Sequence, residues 1–151
     1  MLLINFEDIY KRALVRIDDL DLADLKREDF YEYLKEWLHS SISNPFVRQK
    51  FNTFSIDDDM MRIRCDLNDS VDDTYDYNFV VDVLAKGIII NYFPSRIDTS
   101  IDMATAIGGK EEKVLNNKYK EKQERLNKLQ NEFYKQLTQH GYYFTTYGKN
   151  Q

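Results

Sequence analysis

Apolar positions recur with a helical period over most of the chain. Phe6, Ile9, Tyr10, Ala13, Leu14 and Ile17 share one face of a helix that opens after Asn5 and ends near Asp18-Asp19. Asn5 is a natural N-cap, with Asp8 three residues on to assist it. Phe30, Tyr33, Leu34, Trp37, Leu38 and Ser41 stand at i, i+3, i+4, i+7, i+8 and i+11. They predict a second helix from Arg27 to Ser43, with Trp37 its largest piece of core. Asn44-Pro45 ends that helix, because the residue before a proline avoids the α region. The period then drops to two. Met61, Ile63, Cys65 and Leu67 alternate with Arg62, Arg64 and Asp66, which reads as a strand. Phe54-Ser55-Ile56 is its candidate hairpin partner across Asp57-Asp58-Asp59. A two-stranded hairpin is marginal in water, so this one should lie on the helices or on another subunit.

An acidic loop from Asp66 to Asp76 leads to a third helix, predicted from Thr74 to Tyr92 with Asp72 or Asp73 as its cap. Tyr77, Val80, Val81, Val83, Leu84, Ile88, Ile89 and Ile90 cover more than half its circumference, the pattern of a central buried helix. Gly87 marks a close helix contact, and Pro94 is expected to stop the helix. Residues 95–110 read as a link, with one short turn around Ile101 to Ile107 and a Gly108-Gly109 hinge. A long polar helix follows from Glu111 to Gln139, roughly 40 Å at 1.5 Å per residue. Leu115, Tyr119, Leu126, Leu129, Phe133 and Leu137 form its one apolar seam. Gly141 is its C′ stop. The expected fold is therefore mainly α: a small helical bundle over 1–140 with one long C-terminal helix and a β-hairpin, then an extended tail over 141–151.

The chain has 151 residues, 42% of them hydrophobic, enough for one domain with a modest core. A net charge of −5 argues against a nucleic-acid grip driven by counterion release. One cysteine, Cys65, rules out an intrachain disulfide, and on an alternating strand it reads as a small buried hydrophobe. The N-terminal stretch is too short and too soon acidic for a signal peptide, and Ile88-Ile89-Ile90 is too short to span a bilayer. These features point to a soluble protein made in a reducing cytoplasm.

Candidate chemistry fails at each place it could begin. An EF-hand loop counted from Asp66 needs glycine at its sixth position and an acid at its twelfth, where Val71 and Tyr77 stand. Neighbouring side chains point apart, so Asp57-Asp58-Asp59 is better read as a turn than as a magnesium site. Ile107-Gly108-Gly109-Lys110 lacks the preceding strand and the Ser or Thr of a phosphate loop. His39 and His140, the two histidines, each sit near a helix C-terminus, where an imidazole suits exposed carbonyls. No catalytic residue, cofactor or metal site is assigned, and an enzyme is not expected. The tail aromatics Tyr142, Tyr143, Phe144 and Tyr147 either fold back onto the core or bind a partner, as an added strand or as anchors in pockets.

The order of these pieces resembles the head–tail connector, or adaptor, proteins of the neck of long-tailed bacteriophages. The matching stretches are Phe6-Glu7-Asp8-Ile9-Tyr10-Lys11-Arg12-Ala13-Leu14, the Trp37-Leu38 helix ending at Ile42, and Ile107-Gly108-Gly109-Lys110-Glu111-Glu112-Lys113 leading into a Tyr-rich long helix. The resemblance implies a structural virion protein of the neck, made in the host cytoplasm and assembled as a homo-oligomeric ring, usually of twelve. Such a ring docks under the portal protein, extends the DNA channel without sequence-specific binding, and receives the next neck component, the stopper. It implies that Tyr142, Tyr143, Phe144 and Tyr147 reach the portal. Leu115, Tyr119, Leu126, Leu129 and Phe133 would pack subunits wherever the monomer leaves that seam open. The acidic loop around Asp69 to Asp76 would line the channel and repel passing DNA. The alternative reading is a small cytoplasmic helical regulator that binds a protein partner through its long C-terminal helix.

Overall fold

The computed structural model describes residues 1–17, 27–107 and 109–140, with side chains outside 27–29, 93–107, 110–112 and 115. The fold is mainly α, with a small antiparallel sheet. The order is β1 (Leu2–Asn5), α1 (Phe6–Arg16), α2 (Arg27–Ile42), α3 (Pro45–Arg48), β2 (Phe51–Asp57), β3 (Arg62–Leu67), α4 (Asp73–Ile107) and α5 (Gly109–Gln139).

The hairpin forms as its alternation predicts, but it is not alone. The first residues of the chain add a third strand, and the sheet order is β1-β3-β2. Leu2 and Phe54 flank Cys65, and Ile4 and Ile56 flank Ile63, so two rows of side chains cross one face of the sheet. Cross-strand pairs of this kind are what stabilise a small sheet. Leu2, Ile4, Ile63, Cys65 and Leu67 are buried there. Burial pushes the Cys65 thiol up to about 12, with Asp66 adding to the rise. Asp57 turns the hairpin by accepting from the Met60 amide at 3.0 Å, and Met61 carries the positive φ of 53° that closes it. The Phe6 amide donates to the Met61 carbonyl at 2.9 Å, which ties the start of α1 to the same turn. Asn5 occupies the N-cap position of α1, yet its side chain makes no capping bond.

α4 is the element on which α1, α2, α5 and β1 all pack. From Phe79 to Tyr92 its described side chains are buried at nearly every position. Asp72 caps it, accepting from the Tyr75 amide at 2.7 Å. Gly87 lies directly under Ser41 of α2, the close contact its position predicts. Tyr77 donates to Asp8 of α1, and Arg12 donates to the Asn78 carbonyl and to its Oδ1, each at 3.1 Å. Burial and that Asp8 bond raise the Tyr77 phenol to about 12.

Two sequence expectations are corrected. Pro94 does not stop the third helix; α4 runs on to Ile107, so the expected link over 95–110 is largely helical. Proline removes one backbone donor and crowds one turn, a cost that a long packed helix absorbs. Trp37 is not the centre of the core. It is half-buried, stacked on Tyr33 at 5.8 Å and edge-on to Tyr92 at 5.5 Å. Leu34 and Leu38, on the same helix, are the fully buried positions. The hairpin takes the first of its two expected placements, on the helices: β1 adds a third strand, and Ile63, Cys65 and Leu67 are buried in one core with α4.

Candidate interaction surfaces

α4 and α5 form one antiparallel helical hairpin. Gly109, at φ +67°, sits at its turn. The cross-contacts run antiparallel: Phe79 meets His140, Lys86 meets Gln136, and Ile89 lies beside Leu129. The two arms are 35 and 31 residues, about 52 and 46 Å of helix. Their register is set by polar groups as well as by the seam. Lys86, buried in an otherwise apolar stretch of α4, donates to Gln136 Oε1 at 2.6 Å and pairs with Asp82 at 3.3 Å. Gln136 in turn donates to Asp82 Oδ2 at 3.0 Å, and Arg16 of α1 approaches Asp82 at 3.8 Å. Each group in this loop of bonds satisfies another, as a buried polar network must.

The seam of α5 is largely consumed inside the monomer. Leu126, Phe133 and Leu137 are buried, and Tyr119 and Leu129 are partly buried against the same core. The Leu115 side chain lies outside the described residues, as do Tyr142, Tyr143, Phe144 and Tyr147. Towards the turn the other faces of α5 are open: Lys113, Val114, Asn116, Asn117, Lys118 and Lys120 are all exposed.

His140 closes the root of the hairpin. Its ring stacks on Phe79 with centroids 3.6 Å apart and on Tyr75 at 5.6 Å. It is 5% exposed, and neither ring nitrogen has a partner in hydrogen-bond geometry. Burial, and then the charge of Lys50, push its pKa below the ordinary 6.5; Asp76, Asp69 and the Asp69 main chain pull the other way without reversing it. His140 is therefore packed among aromatic rings and is not an imidazole resting on helix carbonyls. His39 also departs from that expectation: its Nε2 lies 2.8 Å from Asp58 Oδ1, joining the end of α2 to the hairpin turn.

The acidic stretches divide into separate tasks. Asp57 holds the turn and Asp58 meets His39. Asp76 is buried and accepts from Ser70 Oγ and the Val71 amide, so the far end of the acidic loop is structural. Asp69, Asp72 and Asp73 remain exposed. Among the described residues, no group of three or more His, Cys, Asp or Glu is placed to hold a metal ion. An open cleft of about 420 Å³ lies between α1 and the root of the hairpin, with Arg12, Asn78, Asp82 and His140 in its wall. Arg12 is engaged by Asn78 and Asp82 by Lys86 and Gln136, while the His140 nitrogens are sealed below the surface. The cleft thus brings no base beside a nucleophile.

A third surface is aromatic. Phe46 of α3 meets Tyr134 of α5 edge-on at 5.5 Å, and both are exposed. Neither belongs to a periodic stripe, which is why sequence reading passes over the pair. Among the described residues no helix is long and apolar enough to cross a membrane. Comparison of the chain with protein-family models, with curated proteins and with solved structures returned no match.

Proposed function

We propose that this chain is a ring-forming head–tail connector of a tailed bacteriophage, which docks under the portal protein and joins capsid to tail around the DNA channel. The observation that carries the reading is the long α4–α5 hairpin rooted in a small body made of α1, α2, α3 and the sheet. A shape of this kind presents extended flanks to neighbours, and cyclic symmetry lets modest contacts add up when each subunit meets two others. The resemblance of Phe6 to Leu14, of the Trp37-Leu38 helix and of Ile107 to Lys113 to phage connectors supports the same reading. The regulator alternative asks for an open apolar face on α5, and the burial of Leu126, Phe133 and Leu137 weighs against it.

The experiment is direct. The purified chain, mixed with the portal protein of the same virus, is expected to give a ring seated on the portal by native mass measurement and negative-stain imaging. A monomer or dimer indifferent to the portal overturns the proposal. Removal of Tyr142 to Gln151 is expected to abolish docking and leave helix content unchanged. Docking that survives this deletion overturns the assignment of Tyr142, Tyr143, Phe144 and Tyr147 to the portal contact.

A further inference from the structure

The sheet has two edges, and they are not alike. β1 is four residues long, and its shortness blunts it as a template for another strand. β2 is seven residues long and holds no lysine, arginine or proline. Its one irregularity is the bulge between Phe51 and Thr53; from Thr53 to Asp57 its register on β3 is regular. Among the described residues, no hydrogen bond beyond those to β3 reaches its backbone. Alternate main-chain groups of β2 therefore face outward along an open edge.

The apolar rows of the sheet also stop short on this side. Leu2, Ile4, Ile63 and Cys65 are buried, yet Phe54 and Ile56, which end the same two rows, are only half-buried. Ser55 and Asp57, on the other face of β2, are exposed. A strand added here needs an apolar side chain to extend the rows and polar or amphipathic ones on the wet face.

The chain ends in such a segment. Tyr142-Tyr143-Phe144-Thr145-Thr146-Tyr147 is six consecutive residues of high strand preference. α5 delivers it to the start of β2, since His140 lies close enough to Lys50, the residue before Phe51, and to Asp69 to feel both charges. Asn68 fastens these two stretches together. Its amide donates to the Lys50 carbonyl at 2.9 Å and its Nδ2 to the Gln49 carbonyl at 2.7 Å. Fully extended, residues 141–151 reach about 36 Å and β2 about 23 Å. An antiparallel strand would use about two-thirds of the segment in reaching Asp57 before it could pair. Only a parallel strand fits from this starting point.

We infer that residues 142–147 add to β2 of the same copy as a parallel fourth strand, with Phe144 extending the rows of Phe54 and Ile56 and with Tyr143, Thr145 and Tyr147 on the face of Ser55 and Asp57. Pairing of this kind takes its affinity from main-chain bonds and its register from alternate side chains. The tether holds the segment at an effective concentration in the millimolar range, which a separate copy in dilute solution does not match. The inference goes beyond the portal reading, because it places the segment in the chain on its own; a portal would capture it from β2.

The test is amide exchange followed residue by residue by NMR on the full chain without a partner. The β2 amides that face away from β3 are expected to exchange roughly tenfold or more slowly than in a Thr145→Pro/Thr146→Pro variant. Successive residues of a strand point their N–H groups to opposite sides, so one of the two prolines must remove a bond to β2. Amides that pair β2 with β3 should keep their rates, which also shows that the variant is folded. Phe144→Asp is expected to act like the prolines, and Lys149→Asp, beyond the strand, to change nothing. Outward amides that exchange freely in the wild type overturn the inference. So does protection that survives the prolines, because something else then covers the edge. Protection that falls on dilution assigns the strand to a second copy and overturns it as well. No portal is present in this measurement, so its failure leaves the portal reading to its own experiment.

Discussion

Gly87 is where one methyl group tests the packing of the whole body. A Cβ built there lies 1.7 Å from Ser41 Oγ and 2.5 Å from Ser41 Cβ. The hydroxyl could rotate aside, but the Cβ moves only with the α2 backbone. Gly87→Ala must therefore part α2 and α4 by about 1 Å against a close-packed core, a cost in the upper part of the overpacking range, roughly 2–3 kcal/mol. Alanine regains about 1 kcal/mol of helix propensity over glycine. The expected net loss is about 1–2 kcal/mol, which lowers the melting temperature by roughly 2–8 °C in a chain of this size. Ser41 also carries a buried hydroxyl without a partner, so its removal forfeits no hydrogen bond. The Ser41 Cα is 3.6 Å from the new methyl, an ordinary contact. Ser41→Gly combined with Gly87→Ala should then recover most of the loss, with a coupling energy of roughly 2 kcal/mol in a double-mutant cycle. Urea unfolding of the four proteins measures it. A Gly87→Ala protein as stable as the wild type, or a cycle without coupling, would refute the close α2–α4 contact.

Other outcomes follow from the same geometry. His140 has a folded pKa below its ordinary 6.5, so the unfolded chain binds the proton better. Stability is expected to fall as pH drops through 6.5 and to level off once pH passes the folded value, and His140→Phe should flatten that slope in urea midpoints. Lys86→Met leaves Asp82 and Gln136 without their buried cation and is expected to cost about 1–3 kcal/mol, less in a Gln136→Leu background. Cys65 is buried with a thiol raised to about 12, so a thiol reagent should react only as fast as the protein opens, and a rapid native reaction would contradict the sheet. Pro94→Ala restores a backbone donor inside α4 and should raise the urea midpoint, by roughly 1–3 kcal/mol of stability. No gain would mean that the helix breaks there after all.

Local rules served this chain well where one face of an element decides its fate. The stripe of α2, the alternation of β3, the all-round apolar character of α4 and the seam of α5 each come from a period that burial imposes. Boundaries and third partners were less legible. β1 is four residues long, too short to establish a period, and it exists because Leu2 and Ile4 complete rows begun by Cys65 and Ile63 far along the chain. The proline rule describes a helix end seen locally, whereas α4 continues through Pro94 to Ile107. Trp37 misled because size is not depth: a helix face about 100° wide has edges, and the largest side chain took one of them. Polar contacts such as Lys86 with Gln136 or His39 with Asp58 depend on residues 50 and 19 positions apart, and no local pattern signals them.

The interaction surfaces show a different limit. An apolar seam on a polar helix is equally consistent with packing inside a chain and packing between chains, and only the position of the other helices separates the two. Here the core takes Leu126, Phe133 and Leu137, and what α5 offers a neighbour is mostly lysine, asparagine and glutamate. Contacts made from such groups are individually weak and sensitive to salt. An assembly that relies on them needs many copies held at once, so that each weak contact is backed by its neighbours.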